Sequence, residues 1–261
     1  MTLFLHELKR GKLSLIIWSA AVSFMLGICV IIYPEMAKEM GEISDMFANM
    51  GAFSDAFGMD QLNFGEFMGY FAIEIGNNLG LGGSIFAAIL GISALSKEEQ
   101  GRTAEFLLAH PVSRTKVITS KLLSTISQIL IFNIAVMSVT FISTVAIIES
   151  FDFGKMMLLF LANLILQIEI ASICFGISAF LRRGGLGIGI GIAFGFYFLN
   201  ILSNLSEDAE IIKYVTPFGY TDGSSIVSNN ALEIKYIIVG AIFTLIGIAL
   251  AYKKYLSKDI A

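Results

Sequence analysis

Six long runs, each with no charged residue or only one, dominate this sequence. They cover residues 13–33, 75–96, 122–148, 156–181, 184–206 and 236–252. A helix of about 20 apolar residues crosses a hydrocarbon core of about 30 Å, because each residue advances it by about 1.5 Å. The runs therefore predict an all-α membrane protein whose residues 1–261 form a single transmembrane domain of six spans.

Composition excludes several other classes of protein. Hydrophobic residues make up 56% of the chain and charged residues 15%, so a water-soluble fold is excluded. The net charge of −4 argues against a nucleic-acid partner, because phosphate groups require a clustered positive surface. Membrane lipid is instead the expected surrounding.

Basic residues are distributed unevenly between the two ends of the runs. With six spans both termini share one side, which then holds thirteen of the 17 basic residues. They are Lys9, Arg10, Lys12, Lys97, Arg102, Arg114, Lys116, Lys121, Arg182, Arg183, Lys253, Lys254 and Lys258. Because loops rich in Lys and Arg stay in the cytoplasm, both termini of this multi-pass protein are predicted to be cytoplasmic.

Three segments outside the runs have patterns of their own. Residues 1–12 mix Leu and Phe with Lys and Arg, which predicts a short interfacial helix. In the outer segment 34–74, apolar residues recur at three- and four-residue steps, which predicts an amphipathic helix. Its methionines fit an apolar face, with copper ligation as the less favoured alternative. The outer segment 207–235 contains Pro217 and Gly219, and either dips into the membrane or forms a surface loop.

The inner segment 97–114 is the most informative stretch. Charged residues precede an apolar patch at 106–108, and Pro111 ends the helical pattern. The charged residues are Glu98, Glu99, Arg102 and Glu105. A short, charged helix held between two spans can pass force from a soluble partner to the bundle. A solvated loop is the alternative.

This segment carries a family resemblance. Glu98-Glu99, Gly-Arg-Thr at 101–103, Glu-Phe-Leu-Leu at 105–108 and Pro-Val-Ser-Arg at 111–114 resemble the cytoplasmic signature of ABC-2 type permeases, the membrane subunits of ATP-binding-cassette exporters. The six-span layout, the amphipathic N-terminus and Thr-Pro-Phe-Gly-Tyr at 216–220 extend the resemblance over the chain. Only 98–114 is specific at residue level.

The resemblance implies partners and contact residues. A separate ABC ATPase subunit and a second permease copy or homologue are expected, in a two-plus-two assembly. Residues 97–110 would be a coupling helix, and 207–231 would supply outer re-entrant elements. The residues implied to contact the ATPase subunit, or to shape that contact, are Glu98, Glu99, Gly101, Arg102, Glu105, Pro111, Arg114, Arg182 and Arg183.

The chain lacks the phosphate-binding sequence Gly-x-x-x-x-Gly-Lys-Ser/Thr, since its one Gly-Lys pair, Gly11-Lys12, is followed by Leu13. ATP and Mg²⁺ are therefore expected on the partner subunit, and no catalytic residue, cofactor or metal on this chain. The function that follows from the resemblance is a permease that forms the translocation path and couples ATP hydrolysis to export. The expected substrate is a hydrophobic or amphipathic compound such as a peptide.

Three alternatives belong to other classes: an intramembrane enzyme, a secondary transporter and a membrane scaffold. Glu98-Glu99 departs from the Glu-Glu-x-x-x-Arg of prenyl-protein-processing proteases, because Arg102 follows after two residues. His6 and His110 both lie outside the spans, so no buried metal or acid-base cluster can form from them. No internal repeat of the kind found in secondary transporters is present. Composition leaves the scaffold open.

Polar residues inside the runs require an explanation, because an ionisable group at mid-bilayer costs about 2.5–3.5 kcal/mol. Glu169 lies near the centre of the fourth run. It either lines a translocation path or is a neutral acid bonded to a neighbouring helix, and the second interpretation is favoured. Glu74, Asn77 and Asn78 form a stripe that faces an outward vestibule or, as favoured, lies at headgroup depth.

Gly187, Gly191 and Gly195 are spaced four residues apart in the fifth run. Small residues at this spacing let helices approach closely. Packing within the chain is the favoured interpretation, and contact between two permeases is the alternative.

Overall fold

The computed structural model describes residues 2–48, 62, 65–100, 113–181, 185–205 and 207–257, and every regular element in these ranges is helical. The α-helices are α1 (Thr2–Ala48), α2 (Phe67–Ile75), α3 (Gly82–Gln100), α4 (Arg114–Ile147), α5 (Phe153–Ser178), α6 (Leu186–Asn204), α7 (Gly223–Asn229) and α8 (Ile234–Ser257). A π-helix, Gly76–Leu81, joins α2 to α3, and two 3-10 helices, Glu207–Tyr214 and Pro217–Tyr220, precede α7.

Six helical stretches are long and apolar enough to cross a membrane, which confirms the predicted all-α architecture and number of spans. They are Leu3–Lys38, Phe67–Lys97, Arg114–Ile147, Phe153–Ser178, Leu186–Asn204 and Ile234–Ser257. The second stretch begins at Phe67 and not at residue 75. Glu74 interrupts the apolar run in sequence, but the helix continues through it because its carboxylate has partners inside the bundle.

The first helix is longer than predicted at both ends. Residues 2–12 form the first turns of α1, so the prediction of a separate short helix there is wrong. Gly11 does not break the helix, and a Cβ at this position would collide with the side chain of Gln128 on α4. The glycine therefore leaves room for the Gln128 side chain between α1 and α4. Residues 34–48 of the predicted outer segment continue α1 past Pro34, and 49–61 lie outside the described residues.

The second and fourth spans form the interior of the bundle. α5 packs against α3, α8 and α4, while α1 lies mainly on α4 and α6 mainly on α3. Glycines set two of these contacts. A Cβ at Gly91 of α3 would collide with the Ala171 carbonyl of α5, and one at Gly176 of α5 would lie 2.7 Å from the Gly247 carbonyl of α8. Large apolar side chains of α1, α4, α6 and α8 face outward and are exposed, as expected of surfaces that meet lipid.

The glycine row of α6 packs against none of the residues that the structure describes. A Cβ at Gly187, Gly191 or Gly195 would meet open space, so the favoured prediction for these residues is wrong among the described neighbours. Gly189 faces α3 instead, and a Cβ there would lie 2.9 Å from Cγ2 of Ile92. The physical reason is helical geometry: positions two residues apart point to nearly opposite sides of a helix.

The segment 207–229 folds back against the spans. Pro217–Tyr220 is buried and packs against α5, α6 and α8. The Thr216 hydroxyl donates to the Phe196 carbonyl of α6 over 2.8 Å, and the Asp222 carboxylate caps α7 by accepting from the Ser224 amide over 3.1 Å. Within the predicted outer segment 207–235, Pro217–Tyr220 is buried in the protein while Ile211 and Val215 are exposed, and entry of the segment into the membrane stays a prediction.

Candidate functional site

Polar side chains inside the bundle are the candidates for a translocation path. A polar group in hydrocarbon is costly unless it has a hydrogen-bond partner, so its partner identifies its surroundings. Four sets of polar residues stand out among the described residues. Three lie around α5 and the π-helix, and the fourth lies at the end of the bundle that carries Lys97, Arg114 and Lys121, here termed the basic end.

Glu169 forms a hydrogen bond with the segment 207–229, which folds back against the spans. Its side chain is buried, and its Oε2 accepts a hydrogen bond of 2.7 Å from the Tyr220 hydroxyl. Gly240 of α8 leaves room for the carboxylate, since a Cβ there would collide with Oε2. Glu169 lies about 24 Å along α5 from Phe153 and about 14 Å from Ser178 at the helical rise of about 1.5 Å per residue. The Tyr220 hydroxyl therefore lies deep within the bundle, nearer the Ser178 end of α5 than its Phe153 end.

The predicted stripe of Glu74, Asn77 and Asn78 is divided in the structure. Asn78 Nδ2 donates to Glu74 Oε2 over 3.0 Å, and the Cys29 thiol of α1 donates to the same oxygen over 3.2 Å. Asn77 points elsewhere, and its Oδ1 accepts from the Tyr197 hydroxyl of α6 over 3.0 Å. The π-helix begins at Gly76, so the wider turn changes the register between the acid and the two amides.

Two further amides join three helices. Asn133 Nδ2 of α4 donates to Gln167 Oε1 of α5 over 2.7 Å. Gln167 Nε2 in turn lies 3.5 Å from the Leu79 carbonyl, within the π-helix. Oδ1 of Asn133 and Oδ1 of Asn163 are buried without a hydrogen-bond partner among the described residues. Acceptors of this kind can bind a hydroxyl or amine group that enters the bundle.

A small cavity opens beside Asn77, away from the basic end. Its volume is about 60 Å³. Its polar lining includes Asn77, Tyr197, Asn200, Thr221, Asp222 and Ser224. Phe218 and Ile201 add apolar surface, so the cavity offers both amide groups and hydrocarbon to a ligand.

The predicted contacts with an ATPase subunit fall largely outside the described residues. Gly101, Arg102, Glu105, Pro111, Arg182 and Arg183 lie outside them. The backbone at Glu98 and Glu99 belongs to the last turn of α3. Arg114 begins α4, and its Nη1 donates to the Leu256 carbonyl near the end of α8 over 3.2 Å.

Sequence reasoning did not single out three of these residues. Tyr220 appeared only as part of the Thr-Pro-Phe-Gly-Tyr stretch, and Asn133 is one amide in an otherwise apolar run. The sequence places Lys121 among the basic residues outside the spans, although it is 4% exposed and its Nζ donates to Glu7 Oε1 over 3.2 Å. The signal for Asn133 was the isolated polar residue itself, because such a residue in a span requires a partner.

Comparison with known proteins places this architecture in a family. The chain matches the family model described as "ABC-2 family transporter protein" over residues 1–260. No curated protein matched the chain. The match spans all six apolar helices and agrees with the resemblance of the 98–114 segment. The chain therefore belongs to the ABC-2 family of transporter proteins, and is a multi-pass permease subunit that is not itself an enzyme.

Proposed function

We propose that this permease forms the translocation path of an exporter driven by a separate ABC ATPase subunit, which binds ATP and Mg²⁺. The observation that carries the proposal is the family match over residues 1–260, joined to a bundle with six apolar spans. The ATPase subunit would close on nucleotide, and the segment 97–114 would convert that closure into a rearrangement of the spans.

Two charge reversals test the coupling. Glu99→Lys and Arg102→Glu are expected to abolish copurification with the ATPase subunit or the stimulation of its hydrolysis. Lys38→Glu is the matched control, because Lys38 is an exposed residue of α1 that lies far along this helix from Glu7 at the basic end. Size-exclusion profiles would verify that all three variants fold. Normal copurification and normal transport in both test variants would contradict the proposal.

The proposed orientation places both termini and the basic end in the cytoplasm. Thirteen of the 17 basic residues support it through the positive-inside rule. Ser257→Cys and Asn230→Cys provide the test. Ser257 is the last residue of α8, and Asn230 lies just before the first residue of this helix. An impermeant thiol reagent added to intact cells is expected to label residue 230 alone. Labelling of residue 257 alone would reverse the orientation.

The proposed assembly contains a second permease copy or homologue, and α6 is the proposed contact. Its row of Gly187, Gly191 and Gly195 faces away from the described parts of the other helices. Gly191→Cys, in a background with both native cysteines replaced, is expected to form a disulfide between copies in the membrane. Gly189→Cys is the control because Gly189 faces Ile92. Equal crosslinking of the two, or of neither, would argue against this contact.

The proposed substrate is a hydrophobic or amphipathic compound such as a peptide. Support comes from the cavity beside Asn77, which combines amide groups with the apolar surface of Phe218. The ligand that stimulates hydrolysis by the reconstituted complex would identify the substrate class. Asn77→Leu should then raise the concentration of that ligand needed for half-maximal stimulation. An unchanged concentration would show that the cavity beside Asn77 is not part of the translocation path.

A further inference from the structure

A second cavity lies at the basic end, where α1, α3 and α4 meet. Its volume is about 100 Å³, enough for several water molecules. The charged residues that line it are Glu7, Arg10, Lys97 and Lys121. Hydroxyl groups of Ser14, Ser93, Ser124 and Thr125 and the amide of Gln128 complete its polar lining.

The charges lining this cavity do not balance. Three cationic side chains face one carboxylate, and Arg10 and Lys121 both repel the ammonium of Lys97. Lys121 already donates to Glu7 Oε1 over 3.2 Å and to the Ala94 carbonyl over 2.9 Å. Since Glu7 is engaged with Lys121, the described residues of the lining carry an excess of positive charge that an added anion would neutralise.

The hydrogen-bond donors of the lining suit an oxyanion. Ser, Thr, Arg and Lys side chains all donate hydrogen bonds, and phosphate oxygens accept several at once. Gln128 adds one complementary feature, because its Oε1 is buried without a partner among the described residues. A hydroxyl group on the ligand could donate to it. The lining thus combines donors for a phosphate with an acceptor for an alcohol.

The position of the cavity favours a lipid as the source of that phosphate. Lys97 ends the second candidate span, and Lys121 lies about 10 Å along α4 from Arg114, so the cavity lies near the level of headgroups. Exposed apolar side chains flank it on the same helices, with Leu13 on α1 71% exposed and Leu123 on α4 50% exposed. These can contact acyl chains while the headgroup enters the cavity.

We propose that the cavity among Glu7, Arg10, Lys97 and Lys121 binds the phosphate headgroup of an anionic phospholipid from the adjacent leaflet, preferably one with a glycerol headgroup. This lipid site is separate from the cavity beside Asn77, and Lys97 is the one residue that it shares with the proposed coupling segment 97–114. It adds a lipid requirement at the basic end, and it does not depend on the identity of the exported substrate.

Trp18 provides the probe for the test. It is the only tryptophan of the chain, is half-buried, and lies one helical turn from Ser14 on α1. The full-length chain is reconstituted in phosphatidylcholine containing a small fraction of brominated phosphatidylglycerol, and quenching of Trp18 reports lipid binding. Brominated phosphatidylcholine at the same fraction sets the baseline. The wild type is expected to bind phosphatidylglycerol several-fold more tightly than phosphatidylcholine.

Two neutral variants test the cavity itself. Arg10→Gln and Lys97→Gln are each expected to lower the preference for phosphatidylglycerol by about five-fold, the effect of one basic charge near a membrane surface. Both residues are exposed, so the variants are expected to fold. Lys12→Gln on α1 and Lys116→Gln on α4 are the matched controls, because both residues are basic and lie near the same end of the bundle. They are exposed, lie outside the cavity lining, and should keep the preference.

Three outcomes would overturn the proposal. An equal loss of preference in all four variants would show that general surface charge attracts the lipid. Displacement of phosphatidylglycerol by millimolar inorganic phosphate would show that the cavity takes free phosphate. Unchanged lipid preference in Arg10→Gln and Lys97→Gln, with loss of ATPase-subunit copurification, would assign the cavity to a protein contact.

Discussion

The hydrogen bond between Tyr220 and Glu169 provides the sharpest test of how the fold-back segment is held. The hydroxyl donates to Oε2 over 2.7 Å, and both side chains are almost fully buried. Tyr220→Phe removes the hydroxyl and keeps the ring, while Glu169→Leu removes the acceptor with little change in volume. The double variant completes a thermodynamic cycle that isolates the energy of this one contact.

The expected coupling energy is about 1 kcal/mol. Hydrogen bonds between transmembrane helices average about 0.6 kcal/mol in such cycles and reach about 1.7 kcal/mol. We expect this bond to lie above that average for two reasons. Both side chains are almost fully buried, and Gly240 packs against the carboxylate so closely that water has little room to replace the hydroxyl.

The free energy of unfolding can be measured by titration with SDS in mild detergent, followed by helical circular dichroism. Tyr220→Phe alone should lower it by about 1 kcal/mol. The same substitution should cost nearly nothing in the Glu169→Leu background. In Glu169→Gln its cost should persist, because the amide retains an acceptor oxygen. A coupling energy near zero, with all variants folded, would show that this hydrogen bond does not stabilise the packing of the segment 207–229 against α5.

Three further predictions concern packing and polar contacts, all measured by the same titration. Gly176→Ala should lower the free energy of unfolding by about 1–3 kcal/mol through overpacking against α8, whereas Gly191→Ala should change it by less than about 0.5 kcal/mol; equal effects would contradict the assigned faces of these helices. Gln167→Leu should cost about 0.6–1.7 kcal/mol, because it leaves Asn133 Nδ2 without its side-chain partner; no loss would show that this amide is solvated. Arg114→Ala should cost about 0.3–1 kcal/mol by exposing the last carbonyls of α8, and an unchanged value would remove that contact.

Hydropathy was sufficient to predict the spans, because a bilayer imposes both helical structure and a minimum length on any segment that crosses it. It did not fix where the helices end. The charge of Glu74 predicts that the second span starts at residue 75, yet Asn78 and Cys29 donate hydrogen bonds to this carboxylate within the bundle. A hydropathy window that is averaged along one helix contains no information about a hydrogen-bond partner on another helix.

The glycines of α6 show a second limit. Spacing established that Gly187, Gly191 and Gly195 share one face, and this relation holds in the structure. It could not establish what that face meets, because close packing within a chain and between chains requires the same small residues. Gly189, which makes the internal contact, lies two residues from Gly187 and from Gly191 and therefore points to the opposite side of α6.

Helix packing divides the bundle into two parts. α1 and α4 pack together, and α3, α5 and α8 pack together through Gly91, Gly176 and Gly247, whose close backbone contacts resist sliding. The boundary between these parts is bridged by hydrogen bonds, from Asn133 to Gln167 and from Lys121 to the Ala94 carbonyl.

Hydrogen bonds can exchange partners at small net cost, whereas an interlocked glycine contact cannot shift without a collision. A rearrangement of the spans is therefore expected to occur at this boundary, with α1 and α4 moving as one body. The cavity lined by Arg10, Lys97 and Lys121 lies on the same boundary. A lipid headgroup bound there would contact both bodies, so lipid composition should change the equilibrium between their two arrangements.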